Sequence, residues 1–362
     1  MTFDDVLIIK NGKNQRAVEN PDGKYPIYGS GGIMGYADDY ICEADTVIVG
    51  RKGSINNPIF VEEPFWNVDT AFGLVAKREV LLPRYLYYFC RNYDFERLNK
   101  AVTIPSLTKS DLLKIEITLP SLEIQEKIVS KLLKIEEVIQ ARQQQLQKLD
   151  ELVKARFIEL FGDCVLNSKG WKTKRLGDIA EVGSSKRVFV EDLKESGIPF
   201  YRGTEIGALA EGKTVTPELF ISKEHYAELC IATGAPNIGD LLMPSICPDG
   251  RIWVVNTEKP FYFKDGRVLW VHAIDDSYNP VFLLYTLKDR IMSDYSSIAS
   301  GTTFAELKIF ALKECHVFDV PLELQNQFAA FVNQTDKSKV AVQKALDEAQ
   351  LLFDSLMQKY FG

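Results

Sequence analysis

Apolar residues recur at alternating steps of four and three along two long stretches of this chain. In the first, Ile128, Leu132, Ile135, Ile139, Arg142, Leu146, Leu149, Val153, Arg156 and Leu160 hold the repeating positions. In the second, Phe328, Val332, Thr335, Lys339, Val342, Leu346, Ala349, Phe353, Leu356 and Tyr360 hold the same frame, each 200 residues later. A mean period of 3.5 residues lines these side chains into one stripe, the seam of a coiled coil. The chain has 23 Gly and 15 Pro, yet neither occurs in 122–161 or 322–361. Pro120 and Pro321 precede the two windows and Gly162 and Gly362 follow them, the punctuation of a helix start and stop. Two unbroken helices are predicted, each about 60 Å long at 1.5 Å per residue.

The same offset of 200 matches Leu122-Glu123-x-Gln125 with Leu322-Glu323-x-Gln325, and Phe161-Gly162 with Phe361-Gly362. Across 41 positions aligned without a gap there are nine identities, against roughly two or three from average composition. Tandem duplication explains this better than two unrelated amphipathic helices. The segments ahead of the helices repeat more loosely. Phe3–Val6 resembles Leu176–Ile179, Lys24–Tyr28 resembles Gly197–Tyr201, and Asp45–Val49 resembles Asp240–Met243. Short apolar runs broken by Gly, Pro and Asn predict many short strands and exposed loops there. The fold class is α+β: a mixed α/β domain (1–118), a long helix (119–162), a second such domain (163–318) and a second long helix (319–362).

With 362 residues, 46% hydrophobic and 26% charged, the composition is that of a globular protein, which excludes disordered and collagen-like classes. No run of 18 apolar residues and no targeting pattern occurs, so a cytoplasmic protein without a membrane span is expected. Six scattered cysteines without a CxxC pair read as reduced thiols rather than a disulfide frame or a zinc site. The net charge of −7 argues against coating nucleic acid by charge alone.

Catalytic motifs fail on context. Gly207 to Thr214 matches the phosphate-cradling GxxxxGK[ST] loop, but Tyr201–Ile206 is too polar for a buried strand, and Val215-Thr216-Pro217 suits a helix start poorly. A surface turn is the better reading. Asn57-Pro58-Ile59-Phe60 and Asn279-Pro280-Val281-Phe282 approach the [DN]-P-P-[YF] motif of amino-methyltransferases but lack its second proline; they read as loop or helix-entry prolines. His225, His272 and His316 lack metal-ligand spacing, and His272, in an apolar run, reads as a core residue. No nucleophile–base constellation stands out, and neither a metal nor a cofactor is expected.

Loop chemistry suited to polar recognition remains. In the first domain Tyr28, Ser30, Arg51, Lys52, Ser54 and Asn56 lie among glycines; in the second, Arg202, Thr204, Ser245, Arg251, Lys264, Arg267, Thr302 and Thr303 occupy comparable places. Glycine lets backbone approach a partner closely, arginine can read guanine in a fork, and asparagine can read adenine. Taken singly, each is also compatible with an ordinary turn carrying a solvated charge.

Four segments carry a family resemblance: Lys24–Tyr36, Val47–Gly53, Leu119–Ile128 and Trp171–Ala180. Over nearly its whole length the chain resembles the specificity subunit of type I restriction–modification systems. The element running from proline to glutamine at the start of each long helix is its most specific part. The resemblance implies two target-recognition domains, each followed by a spacer helix, the two helices packing as an antiparallel coiled coil. Each domain is then expected to read one half of a split double-stranded DNA site. Helices of this length would span at most about 17 base pairs at 3.4 Å each. Two methylation subunits would bind around the helices, and restriction subunits could join that core. Gln125, Gln325, Arg142, Arg156 and Lys339 are the candidate contacts with those partners. The polar seam residues Arg142, Arg156, Thr335 and Lys339 would otherwise fix the antiparallel register. The first domain begins almost at its Asp-Val element, without the lead-in the second has at Trp171, so a missing or shortened N-terminal strand is expected.

Two other classes compete: an NTPase or stand-alone methyltransferase, which would bind ATP or S-adenosylmethionine, and a coiled-coil scaffold for proteins. The charge divides as −2 over 1–118, 0 over 119–162, −3 over 163–318 and −2 over 319–362. No segment is basic, so a chain that reads bases is expected to leave much of the phosphate grip to its partners.

Overall fold

The computed structural model describes residues 1–99, 104–300 and 305–362. Contacts group the chain into two compact units, Met1–Leu146 with Ala341–Gly362, and Gln147–Val340. This division cuts through both long helices. Each unit therefore holds one globular domain, the opening turns of one helix and the closing turns of the other.

The first unit runs α1 (Phe3–Val6), β1 (Leu7–Asn11), β2 (Tyr25–Gly29), β3 (Gly32–Ala37), β4 (Thr46–Gly50), β5 (Ile59–Val61), β6 (Trp66–Asn67), β7 (Ala71–Ala76), α2 (Pro83–Asn92) and α3 (Lys109–Leu112), then enters α4 (Leu122–Phe161). An antiparallel sheet has the order β1-β7-β4-β5, and a smaller sheet has the order β3-β2-β6, with β2 and β6 parallel. Strand β4 is buried throughout. Val47 and Val49 pack into the cluster around Phe72, Leu74 and the α2 residues Tyr85 and Leu86. Ile48 packs with Cys42 and Phe65 in another cluster, as the two-residue alternation of a strand requires.

In the second unit, after α4, come β8 (Thr173–Arg175), α5 (Leu176–Ile179), β9 (Glu181–Gly183), β10 (Ile198–Tyr201), α6 (Gly203–Ala210), β11 (Phe220–Ile221), α7 (Lys223–Thr233), β12 (Leu241–Pro244), β13 (Trp253–Val254), β14 (Tyr262–Phe263), β15 (Val268–His272), α8 (Pro280–Ile298), β16 (Ala299–Ser300), β17 (Glu306–Leu307), α9 (Ile309–Lys313), β18 (His316–Phe318) and α10 (Leu322–Phe361). Its main sheet, β9-β15-β12-β13, repeats the topology of the first, and its small sheet, β11-β10-β14, again holds a parallel pair. The three loose sequence repeats fall on equivalent elements: α1 with α5, β2 with β10, and β4 with β12. The second unit pairs β8 with β18 over three residues, and at the matching place the first has a bridge between Thr2 and Glu116.

Both long helices span the predicted windows, and every predicted seam position is buried or half-buried. In the second unit Phe157 meets Phe328 at 5.3 Å, and Asp150 reaches Lys339 at 2.6 Å. Partners whose numbers fall on one helix as they rise on the other make the pairing antiparallel. Lys339 thus bridges the two helices, and the Arg156 guanidinium lies 5.9 Å from the Phe331 ring. Arg142 bonds Gln145 on its own helix at 2.8 Å.

Gln125 and Gln325 require a correction. Both are fully buried, so neither is a partner contact. The Gln125 carboxamide accepts from Leu82 N–H and donates to the carbonyls of Val80 and Pro120, each at 2.9 Å. Gln325 repeats the device, accepting from Asn279 N–H at 2.8 Å and donating to Ser277 and Val320 at 3.0 and 2.9 Å. Each fastens the first turn of a long helix to the segment entering the domain's main helix, α2 or α8. With all three hydrogen bonds satisfied internally, burial of the amide carries no penalty. Above these clamps, Glu136 of α4 accepts from Tyr88 at 2.5 Å and pairs with Arg91 of α2.

Candidate nucleic-acid interface

Strand ends and the loops beside them bring the candidate residues together. In the first unit, the loop after β4 is drawn tight by Gly50, where an added Cβ would meet Ser54 O at 2.2 Å and Ser30 Cβ at 3.0 Å. Glycine at 50 therefore closes Ser30 onto the Arg51–Ser54 loop. Arg51 N–H donates to Thr70 O at 2.7 Å, and its carbonyl accepts from Leu107 N–H at 2.9 Å. Gly53 N–H holds Pro105 O at 3.1 Å. The backbone is pinned while the side chains of Arg51, Lys52 and Ser54 face solvent. The Arg51 guanidinium rests 5.8 Å from the Phe72 ring and reaches Asp69 O at 3.5 Å. Tyr28 is half-buried against Phe65, and burial, with Glu63, pushes its phenol up. Asn56 lies apart from this group. Its amide donates to Asp94 and accepts from Phe95 N–H at 2.7 Å, capping the turn at 95–98.

In the second unit the basic candidates gather around α6. An added Cβ on Gly203 would lie 3.3 Å from Arg267 O, and one on Gly207 would lie 2.8 Å from Arg251 Nη1. Both glycines let arginines approach the helix. Lys264 N–H bonds Tyr201 O at 2.9 Å, adding its turn to the group. Most of these cations already hold carboxylates. Arg202 pairs with Glu205 and, at 3.0 Å, with Glu218; Arg251 pairs with Asp249 at 2.8 Å and Glu211 at 3.6 Å; Arg267 pairs with Glu306. Thr204 Oγ1 also donates to Glu205, at 2.9 Å. Burial alone would raise the Glu205 carboxyl, but the bonds from Arg202, Thr204 and backbone more than offset it and hold it at about 2. By contrast, Arg51 and Lys52 have no carboxylate partner among the described residues.

Ser245 differs from its expected place: it is buried, and its side chain does not face solvent. The cause is its backbone. Ser245 N–H donates to Arg267 O at 2.9 Å, and its carbonyl accepts from Leu307 N–H at 2.8 Å. These are the bonds Arg51 makes in the first unit, so Arg51 and Ser245 occupy equivalent sites. Thr302 and Thr303 lie outside the described residues.

Lys186 and Arg187 join the second group without having stood out in the sequence. Ser184 Oγ donates to Val268 O at 2.7 Å and accepts from Gly266 N–H at 2.9 Å, while Ser185 Oγ donates to Phe263 O at 2.6 Å. These bonds fasten the Ser-Ser-Lys-Arg segment to the turn that carries Lys264 and Arg267. Both Lys186 and Arg187 are exposed, and Arg187 pairs with Asp265 at 3.2 Å. Two small hydroxyl residues followed by two cations at a strand end is the signal that would have found them.

The catalytic look-alikes resolve into structure. Gly207 lies inside α6 rather than in a phosphate loop, and Lys213 pairs with Glu211 at 2.5 Å. Asn279 caps α8, its side chain accepting from Val281 N–H, with Pro280 in the first turn. His272 is half-buried at the end of β15, stacked on Trp270 at 3.8 Å, so it is a rim residue rather than a core one. Burial pushes the Cys42, Cys164 and Cys247 thiols up to about 12, far from a reactive thiolate. Among the described residues no His, Cys, Asp or Glu cluster could hold a metal, and no helix is long and apolar enough to cross a membrane.

Two domains of one topology, each joined to a long antiparallel helix and each offering polar loops at its strand ends, define a duplicated recognition protein. Residues 1–151 and 168–349 match the family described as type I restriction modification DNA specificity domain, and the chain belongs to that family. It is 25% identical over 351 residues to a putative type I restriction enzyme specificity subunit of Haemophilus influenzae, covering 93% of this chain and 86% of that one. A type I restriction enzyme specificity subunit of Methanocaldococcus jannaschii is 25% identical over 342 residues, covering 86% of this chain and 74% of that one. Among solved structures, the type I restriction–modification S subunit of M. genitalium aligns with a TM-score of 0.64 at 19% identity, covering all of this chain and 95% of that one. A chain from a structural study of type I complex assembly and conformational transition aligns with a TM-score of 0.59 at 19% identity, covering all of this chain and 96% of that one. The chain is a specificity component, a DNA-recognition part rather than a catalytic one.

Proposed function

We propose that this chain reads a split double-stranded DNA site in the cytoplasm, one half through each domain, and positions two methylation subunits on it, with restriction subunits able to join. The equivalence of Arg51 and Ser245 carries this reading. One backbone frame, held by the same two hydrogen bonds, presents an exposed arginine in the first copy and a buried serine in the second. A scaffold conserved in hydrogen bonding and varied in what it shows solvent suits two readers of different sequences. Arg51, Lys52, Ser30 and Ser54 are the proposed contacts of the first domain, with Tyr28 supporting the loop. Arg202, Thr204, Arg251, Lys264, Arg267, Lys186 and Arg187 are those of the second.

The paired arginines also bear on the acidic balance. An arginine already neutralised by Glu205 or Glu306 must exchange partners before it holds a base or phosphate, so it discriminates more than it grips. Titration of labelled duplexes against the chain alone and against its complex with methylation subunits, at several salt concentrations, tests this. The expected result is weak binding with a shallow salt slope for the chain alone, and tight, sequence-selective binding for the complex. Tight, steeply salt-dependent binding by the chain alone would overturn the division of labour.

A further inference from the structure

The β2–β3 hairpin carries, at the start of β3, two large apolar side chains that the reading above does not use. Ile33 is 56% exposed and Met34 61% exposed. In a regular hairpin, alternation would turn one of two neighbours inward. Here the register slips: Ile27 pairs with Gly35 and Tyr28 with Ile33, which leaves Met34 as an extra, unpaired residue. A bulge of this kind re-aims side chains, and both neighbours end in solvent.

The tip before them is bare. A Cβ at Gly31 or Gly32 would meet nothing within 4 Å, and Gly32 has φ +125, a conformation side chains rarely adopt. The result is a thin ridge, Ser30-Gly31-Gly32, leading into two apolar side chains. Its base is firm: Tyr28 packs on Phe65, Val68 N–H holds Tyr28 O at 3.0 Å, and β2 is paired on both sides. Ser30 lies against the loop that presents Arg51 and Lys52. Glu19, beside Gly35, and Glu63, acting on Tyr28, are the carboxylates that bear on the hairpin.

We propose that this hairpin is a wedge: Ile33 and Met34 enter a base step of double-stranded DNA while Lys52, beside the base-reading Arg51, holds the adjoining phosphate. The inference rests on the reading of the chain as a DNA-recognition subunit. Unstacking a base step is costly, and burial of two apolar side chains offsets it. Cations without carboxylate partners beside the apolar tip favour a polyanion over a protein surface as occupant. The second domain has no such device at the matching place, because β10 runs directly into α6. Distortion is therefore confined to one half of the site.

The test uses the full chain in complex with methylation subunits on its mapped target, with fluorescent base analogues placed singly along both halves, away from the bases to be methylated, which a methyltransferase itself takes out of the stack. Wild type brightens one step, in one half only. Ile33→Ser with Met34→Ser abolishes that signal and weakens binding roughly ten- to hundredfold, while Ile33→Val with Met34→Leu restores both. Three results overturn the wedge: no unstacked step in either half, unstacking that survives the double serine variant, or a serine variant that fails to assemble with methylation subunits. Failure of the underlying reading is separate, because the complex would then show no sequence preference on DNA at all.

Discussion

Replacing Gln125 with alanine removes three buried hydrogen bonds at once, to Leu82 N–H and to the carbonyls of Val80 and Pro120, all at 2.9 Å. A typical hydrogen bond contributes about 1 kcal/mol net, and a buried group left without a partner costs about 1–3 kcal/mol. Leu82 is the residue before α2 begins, so its N–H has no carbonyl of that helix to turn to. Some relaxation and water entry are expected, which sets the loss at about 3–5 kcal/mol. The first unit should show it as a lower urea midpoint, followed by near-ultraviolet dichroism from its buried tyrosines. Amide exchange gives the local answer: protection of Leu82 N–H should fall by roughly 10²–10³, the factor matching about 3–4 kcal/mol. Gln125→Glu should be worse near neutral pH than in acid. A buried carboxylate facing two carbonyls has a raised pKa, so the variant's deficit grows as pH rises above the ordinary carboxylate range. A midpoint change worth under about 0.5 kcal/mol, with Leu82 exchange unaltered, would refute the clamp.

Further outcomes follow from the same contacts. The Glu205 carboxyl sits at about 2 against an ordinary 4.5, so its contribution is full above pH 4.5 and is lost as pH falls toward 2; Glu205→Gln should cost about 1–3 kcal/mol at pH 7. Urea midpoints taken from pH 7 downward should converge with wild type below pH 4.5, and a pH-independent difference would contradict the assignment. Lys339 is a half-buried seam cation whose partner Asp150 is 70% exposed, a pair worth little. Lys339→Leu should therefore raise Tm, by about 1 kcal/mol of stability, and a lower Tm would show that the ion pair outweighs the apolar seam. Gly50→Ala forces a Cβ to within 2.2 Å of Ser54 O; it should cost about 1–3 kcal/mol and spoil DNA selectivity, whereas wild-type selectivity would mean that the loop does not read DNA. Arg51→Ala should relax preference at one base pair, by about 1–3 kcal/mol; uniform weakening on all sequences would reassign Arg51 to phosphate.

The helices were legible because their signal is long: forty residues without Gly or Pro, and a seam that every position obeys. What the period missed was the second buried face near the helix ends. Phe157 and Met357 lie outside the seam frame, yet both are buried, because each end packs against a globular domain as well as against a helix. The domains were harder. Strands of two to six residues leave little periodicity, and the parallel pairs β2–β6 and β10–β14 join segments far apart in sequence. Their repeats were nonetheless visible as faint similarity, and all three fell on equivalent elements.

Site residues were legible in kind but not in placement. The recurrence of Gln125 as Gln325 marked something important, but a recurring glutamine does not reveal whether it faces in or out. Ser245 looked like a loop residue because a Pro-Ser break follows a strand, while the bonds that bury it reach to Arg267 and Leu307. The unshielded charges of the first domain and the carboxylate-bound arginines of the second are invisible in any count of charge, since Glu218 and Glu306 find their arginines only through the fold.

The most direct test of two domains reading two halves of one site is a genome-wide map of methylated bases in cells with and without this chain. Loss of a single motif, split into two specified parts around an unspecified gap, is the predicted result. An unchanged methylation pattern, or loss of one continuous motif, would contradict it.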